Sequence, residues 1–175
     1  MLNTSFDSNS VPKYFYDRLT DITAEDIRAM GAKAVALDLD NTSVYDLTLR
    51  PLKGAAEWVK KTLDADIPVV ILSNSYEWRA KKLSAKFCGI PYIANAEKPA
   101  PENYFRAAEL AGTDINTLAV IGDQLFTDVQ GANGAGAISV RVKYARREIV
   151  PGIRFLLLRR REKKYLINAG YGDKV

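Results

Sequence analysis

Apolar residues gather in five short runs, Lys33–Leu37, Pro68–Leu72, Pro91–Ala94, Leu118–Gly122 and Ala137–Val142, separated by longer stretches of helical character. Short apolar runs alternating with helices predict successive βαβ units, and so an α/β fold with a mostly parallel five-stranded sheet flanked by helices. Local signals place the helices. Pro51 and Pro101 suit first helical turns, Ser75 is placed to cap a helix over 76–87, and Gly112 to end the helix carrying Tyr104, Phe105, Ala108 and Leu110. Thr23 and Asp26 form a capping pair for a short helix ahead of Gly31. Within an N-terminal covering segment, residues 1–32, the polar stretch Met1 to Ser10 reads as loose. Tyr14, Phe15, Tyr16 and Leu19 read as a segment that packs onto the sheet before its first strand.

A polar residue that carries chemistry follows nearly every one of these runs. Asp38 and Asp40 follow the first, Ser73 and Asn74 the second, Lys98 the third after a short loop, and Asp123 the fourth, with Asp128 five residues on. Residues i and i+2 of an extended segment point the same way, so Asp38 and Asp40 are set to meet at a strand exit. Ligands of open α/β sheets bind outside the carboxyl ends of the strands, which makes these residues converge although they are far apart in sequence. Four acids facing one lysine cannot all ionise comfortably in a partly desolvated crevice, and a hard divalent cation such as Mg²⁺ resolves the excess. Ser73, backbone amides and Lys98 are suitable donors to a phosphoryl oxygen.

Composition narrows the chemistry further. The 175 residues are 47% hydrophobic and 26% charged, which fits a single globular domain. The absence of histidine excludes Ser-His-Asp and Cys-His machinery and imidazole zinc sites, so acid–base work falls to carboxylates, lysine or tyrosine. One cysteine, Cys88, permits no internal disulfide, and neither a leader segment nor a membrane-spanning run is evident. A cytoplasmic protein, with peripheral contact at the inner membrane face as an option, is the expectation. The net charge of +4 is concentrated between Arg141 and Lys164. Gly131, Gly134 and Gly136 do not form a GxGxxG loop and read as close-packing positions.

Taken in order, Asp38-Leu39-Asp40-Asn41-Thr42, Ser73 in Ile71-Leu72-Ser73-Asn74-Ser75, Lys98-Pro99 and Gly122-Asp123-Gln124-Leu125-Phe126-Thr127-Asp128 resemble the four motifs of the haloacid-dehalogenase-like (HAD) phosphatases. The last motif and the short length are similar to the YqeG-type branch of the IIIA subclass, whose relatives include mitochondrial phosphatidylglycerophosphate phosphatases. The resemblance implies a Rossmann-like HAD domain and a Mg²⁺-dependent phosphomonoester hydrolase. Asp38 is then the nucleophile that forms an aspartyl-phosphate, and Asp40 the acid that protonates the leaving alcohol and later activates water. It also implies that Asp38, Asp123 and Asp40, the last through its backbone carbonyl, hold Mg²⁺. Ser73, Asn74, Lys98 and Thr42 lie on the phosphate side, Thr42 also ordering its loop, and Asp128 steadies Lys98 or a metal-bound water. Ser43 departs from the family, where leucine commonly follows the first motif.

The intervals Ser43 to Leu72 and Ser75 to Glu97 leave no room for a cap domain, so the crevice is open and a bulky phosphorylated substrate suits it. In the tail, residues 151–175, Phe155-Leu156-Leu157-Leu158 runs into Arg159, Arg160, Arg161, Lys163 and Lys164. Such a segment either lies on an anionic membrane surface or is an amphipathic helix covering the core. With the lipid-phosphatase relatives, the first option makes phosphatidylglycerophosphate a candidate substrate. An alternative of a different class is a non-catalytic, metal-binding adaptor that uses this tail on a membrane, RNA or protein partner, although no nucleic-acid motif is present. Oligomeric state is not legible.

Overall fold

The computed structural model describes residues 8–143 and 153–174; most of the polar N-terminal stretch, the segment 144–152 and residue 175 lie outside it. Six strands form one wholly parallel sheet: β1 (Tyr14–Tyr16), β2 (Ala34–Leu37), β3 (Val69–Leu72), β4 (Tyr92–Ile93), β5 (Leu118–Gly122) and β6 (Ile138–Val142). Their order is β1-β6-β5-β2-β3-β4. The helices are α1 (Ala24–Ala29), α2 (Ala55–Asp64), α3 (Glu77–Lys86), α4 (Glu102–Leu110), α5 (Gln130–Ala135) and α6 (Ile153–Asn168).

Alternate residues of the central strands feed two separate cores, because successive side chains of a strand point to opposite faces. Val35, Leu37, Val69, Ile71, Ala119 and Ile121 pack on one face with Trp58, Leu83 and Phe87. Ala34, Ala36, Val70, Leu72, Leu118 and Val120 pack on the other with Tyr104 and Ala107. Burial on both sides explains why these strands read as unbroken apolar runs. At 25 cal/mol per Å², burying a leucine or isoleucine contributes roughly 1.5–3 kcal/mol, so Leu37, Ile71, Leu72, Leu118 and Ile121 anchor the central strands firmly.

The sequence expectation of five strands is corrected to six. The aromatic segment over 14–16 does not merely cover the sheet but extends it, pairing Tyr14 with Val140 and Tyr16 with Val142. Pro51 does not open a helix. It forms a bridge with Val44 in the loop after β2, and α2 starts at Ala55 behind Gly54, which adopts φ +82°. Ser75 does not cap α3; its hydroxyl instead accepts a hydrogen bond from Arg79. Thr23 and Asp26 do form the reciprocal capping box of α1, and Gly112 follows α4 with φ +67°.

Chain direction across the sheet reverses between β2 and β5. From β2 the chain steps through β3 to β4 on one side, while β5 and β6 lie on the other. Such a switch point leaves a crevice at the carboxyl ends of the two strands. Leu37 is in register with Ile121, and the amide of Asp38 donates to the Ile121 carbonyl at 3.0 Å, so Asp38 and Asp123 emerge side by side.

Candidate active site

Asp38 is buried at the exit of β2, and its Oδ1 accepts from Lys98 Nζ at 2.6 Å. The same ammonium reaches Asp128 Oδ1 at 2.5 Å, so one lysine bridges two carboxylates delivered by different loops. Lys98 is itself fixed by Asn74: its amide donates to Asn74 Oδ1 at 2.8 Å and its carbonyl accepts from Asn74 Nδ2 at 3.2 Å. Both polar ends of Asn74 therefore engage the Lys98 backbone. Ser73 is buried beside it, with its hydroxyl accepting from the Ser75 amide at 3.2 Å.

Asp128 turns back across the loop after β5, accepting from the Gln124 amide at 3.1 Å. That turn explains Gly122, because a Cβ there would run into the Asp128 carboxyl group. Gly131 has a similar reason, since a Cβ would meet the Tyr104 ring, whose hydroxyl donates to the Thr127 carbonyl at 2.9 Å. Of the glycines after the last motif, Gly131 serves close packing, of α5 against α4, whereas a Cβ at Gly134 would make only an ordinary contact with Asn9, and Gly136 has nothing near it among the described residues and instead ends α5 with φ +82°.

Asp38, Asp123 and Asp128 each present a carboxylate oxygen, all within 4.8 Å of one another and all buried. Buried like charges repel unless a positive group intervenes, and this set of hard oxygen donors suits a divalent cation. Burial pushes the Asp38 carboxyl up to about 7; Lys98 opposes the shift and Asp128 adds to it. Burial also pushes Asp123 up to about 8, against the pull of Arg159. For Lys98, burial favours the neutral amine, but Asp128 and Asp38 outweigh it and the ammonium is held more firmly than in water.

Asp40 is placed differently from the other acids. Its carboxylate is gripped by Arg79 through two nitrogens, at 2.7 Å and 2.8 Å, and also accepts from the Leu47 amide at 2.8 Å. Arg79 also donates to the Thr48 carbonyl at 3.0 Å and 2.8 Å, so one buried guanidinium ties α3 to the loop after β2. Thr42 donates to Asp123 Oδ1 at 3.4 Å, which links that loop to the acidic cluster rather than to the open cleft. Ser43, the departure from the motif, is wholly buried and donates to the Asp38 carbonyl at 2.8 Å.

Sequence reasoning misses Arg79 and Arg159. The tail forms α6, and Arg160, Arg161, Lys163 and Lys164 are exposed on it, but Arg159 is only 9% exposed. Expected among exposed charges on either reading of the tail, Arg159 instead ion-pairs with Asp123 and with Glu162. A buried carboxylate at the sheet switch point demands a counter-charge, and α6 supplies it.

Asp38, Asp40, Ser73, Asn74, Arg79 and Lys98 line a common cleft of about 360 Å³ at the strand ends. The intervals on either side of β3 contain only α2, α3 and β4, with no inserted cap. Residues 14–136 match the family model described as haloacid dehalogenase-like hydrolase. The chain is 34% identical over 132 residues to the "Probable phosphatase YqeG" of Bacillus subtilis, covering 75% of this chain and 76% of that one. Its fold is similar to the cobalt-bound deoxy-D-mannose-octulosonate 8-phosphate phosphatase of Haemophilus influenzae, with TM-score 0.52, 19% identity, and 82% and 92% of the two chains covered. It is also similar to the p-nitrophenyl phosphatase of Archaeoglobus fulgidus, with TM-score 0.50, 15% identity, and 74% and 92% covered. A family match spanning most of the chain, a curated relative over three quarters of it, and an acidic strand-end cleft agree: the chain belongs to the haloacid dehalogenase-like hydrolase family, as a phosphatase of the YqeG type.

Proposed function

We propose that the protein is a Mg²⁺-dependent phosphomonoester hydrolase that works through an aspartyl-phosphate on Asp38 and acts on a bulky or lipid-linked phosphate, of which phosphatidylglycerophosphate is one example. The observation that carries the chemistry is Asp38 paired with Lys98 inside a buried acidic triad at the cleft. An Asp38 oxygen attacks phosphorus as the ester bond breaks, and Asp40 gives its proton to the departing alkoxide. Asp40, now a carboxylate, takes a proton from water as that water attacks the phosphoryl-aspartate; inorganic phosphate leaves and Asp38 is regenerated. Lys98 and Ser73 are suited to hold phosphoryl oxygens, while Asn74 keeps Lys98 in place. Arg79 engages both Asp40 oxygens, so donation to the leaving group requires this contact to loosen. Asp38 and Asp123 would hold a cation, which would supply charge withdrawal from the phosphoryl oxygens. Asp40 would join that set only through its main chain, its carboxylate being engaged by Arg79.

The rim of the cleft supports the substrate class. Leu47, Tyr76 and Trp78 border it and are 81%, 71% and 55% exposed. Large apolar side chains held in water around a polar cleft suit a substrate with an apolar body, and Tyr and Trp favour a lipid–water boundary. Lys82 lies over the Trp78 ring at 5.5 Å, and the exposed cations of α6 add further positive charge. Among the described residues no helix is long and apolar enough to cross a membrane. The test is turnover of phosphatidylglycerophosphate in vesicles against soluble glycerol phosphate, comparing wild type with the Tyr76→Ala, Trp78→Ala double variant. Selective loss of lipid turnover is the expected result; equal turnover of both substrates by both proteins would contradict it.

A further inference from the structure

The C-terminal helix carries a charged residue to a place where an apolar one would anchor it at lower desolvation cost. Arg159 is 9% exposed and Glu162 1% exposed, one turn apart on α6. Arg159 donates to Asp123 Oδ2 and, at 3.2 Å, to the Asp123 carbonyl. Glu162 accepts from Arg159 at 2.7 Å and from the Leu125 amide at 2.8 Å. Leu166, fully buried, packs with Leu125 and Val129, and Tyr165 sets its ring edge-on to Phe126 at 5.7 Å. Apart from the Arg159–Glu162 pair within α6, these contacts fall on the loop that carries Asp123 and Asp128. Helix docking alone is met by Leu166 and Tyr165, and a buried ion pair is a poor stabiliser compared with apolar packing.

Lys98 is divided between Asp38 and Asp128 and makes no hydrogen bond to Asp123. Arg159 takes Oδ2 of Asp123, while among the described residues Oδ1 meets only the long contact from Thr42 at 3.4 Å. We infer that Arg159 is a positioning residue for cation binding: it fixes the Asp123 carboxylate by one oxygen so that the other is presented to the metal, making α6 part of the active site. The inference rests on the metal-dependent reading of the cleft. Partners that orient a metal ligand are worth about 10–100-fold in affinity when removed. Coulomb attraction alone argues the other way, since deleting a nearby cation favours another, so the sign of the effect separates orientation from competition.

The test is Mn²⁺ uptake by the full chain, read from the loss of the free-ion electron paramagnetic resonance signal, for wild type, Arg159→Met and Arg159→Lys. Circular dichroism and thermal unfolding without metal identify any variant that fails to fold. Arg159→Met binds Mn²⁺ about 10-fold more weakly or worse, and Arg159→Lys, which keeps the charge but loses the fork, recovers part of the loss. Unchanged or tighter binding by folded Arg159→Met overturns the inference, tighter binding marking Arg159 as a competitor for the cation. Should the methionine variant not fold, affinity of the lysine variant equal to wild type overturns it. Absence of Mn²⁺ uptake by wild type removes the metal reading and the inference together, whereas wild-type uptake with no loss in the variants removes the inference alone.

Discussion

Lys98→Met isolates the electrostatics of the cleft. The side chain is 3% exposed and compensates two carboxylates, of which Asp38 is 8% and Asp128 2% exposed. Methionine fills similar space but leaves both acids buried without their counter-ion. Removing one partner of a buried ion pair destabilises by about 3–5 kcal/mol. In a chain of this size each kcal/mol moves the melting temperature by about 2–4 °C, so a fall of about 6–20 °C is expected near pH 8 without divalent cations. The pH dependence gives the sharper signature. Asp38 already titrates at about 7 in the fold against 3.8 as its ordinary value, and losing Lys98 raises it further. Between those values the folded state binds more protons than the unfolded state, so stability falls as pH rises. The variant's deficit is therefore larger at about pH 8 than at about pH 5.5, where Asp38 enters the fold protonated. Thermal unfolding of both proteins in chelator at the two pH values measures this. A variant that melts with wild type at the higher pH, or whose deficit is the same at both, would refute the reasoning.

Three further outcomes are expected. Arg79→Met, which frees the Asp40 carboxylate from its two-point grip, lowers kcat by about 10–100-fold with KM changed far less; steady-state kinetics on a soluble phosphomonoester measure the split. Wild type without cations loses stability as pH climbs from about 4 to about 8, because burial holds Asp38 and Asp123 above their unfolded values, and saturating Mg²⁺ flattens the decline. Gly122→Ala forces its new methyl into the Asp128 carboxyl group; it lowers the urea midpoint by an amount equivalent to about 1–3 kcal/mol, and a midpoint equal to wild type would remove the packing explanation.

The central strands and their polar exits are legible in the sequence because burial on both faces leaves an unbroken apolar run that stops abruptly at Asp38, Ser73 and Asp123. β1 is not legible. Three aromatic residues at a sheet edge look locally like any covering segment, and only pairing with β6, more than a hundred residues away, makes them a strand. Pro51 misleads because a proline that suits a first helical turn also suits the bridge to Val44. Ser75 misleads for a related reason, since its hydroxyl has a competing partner in Arg79 one helical turn along.

The two arginines escape because they lie on helices rather than at strand exits, where sequence position points to the crevice. A signal for them exists in the charge count. Four acids against one lysine call for more positive charge, and a cation supplies only part of it. Arg79 and Arg159 supply the rest, Arg79 to Asp40 and Arg159 to Asp123. The basic run of α6 obscures this, because one of its arginines is buried while Arg160 and Arg161 face water.

Covalent catalysis through Asp38 is the claim on which the proposed mechanism depends, and trapping the intermediate tests it most directly. Wild type mixed with a ³²P-labelled phosphomonoester and Mg²⁺, then quenched in acid, should retain label on the denatured chain as a hydroxylamine-labile acyl phosphate, and Asp38→Asn should retain none while folding normally. Label retained equally by Asp38→Asn, or normal phosphate release from that variant, would contradict the account.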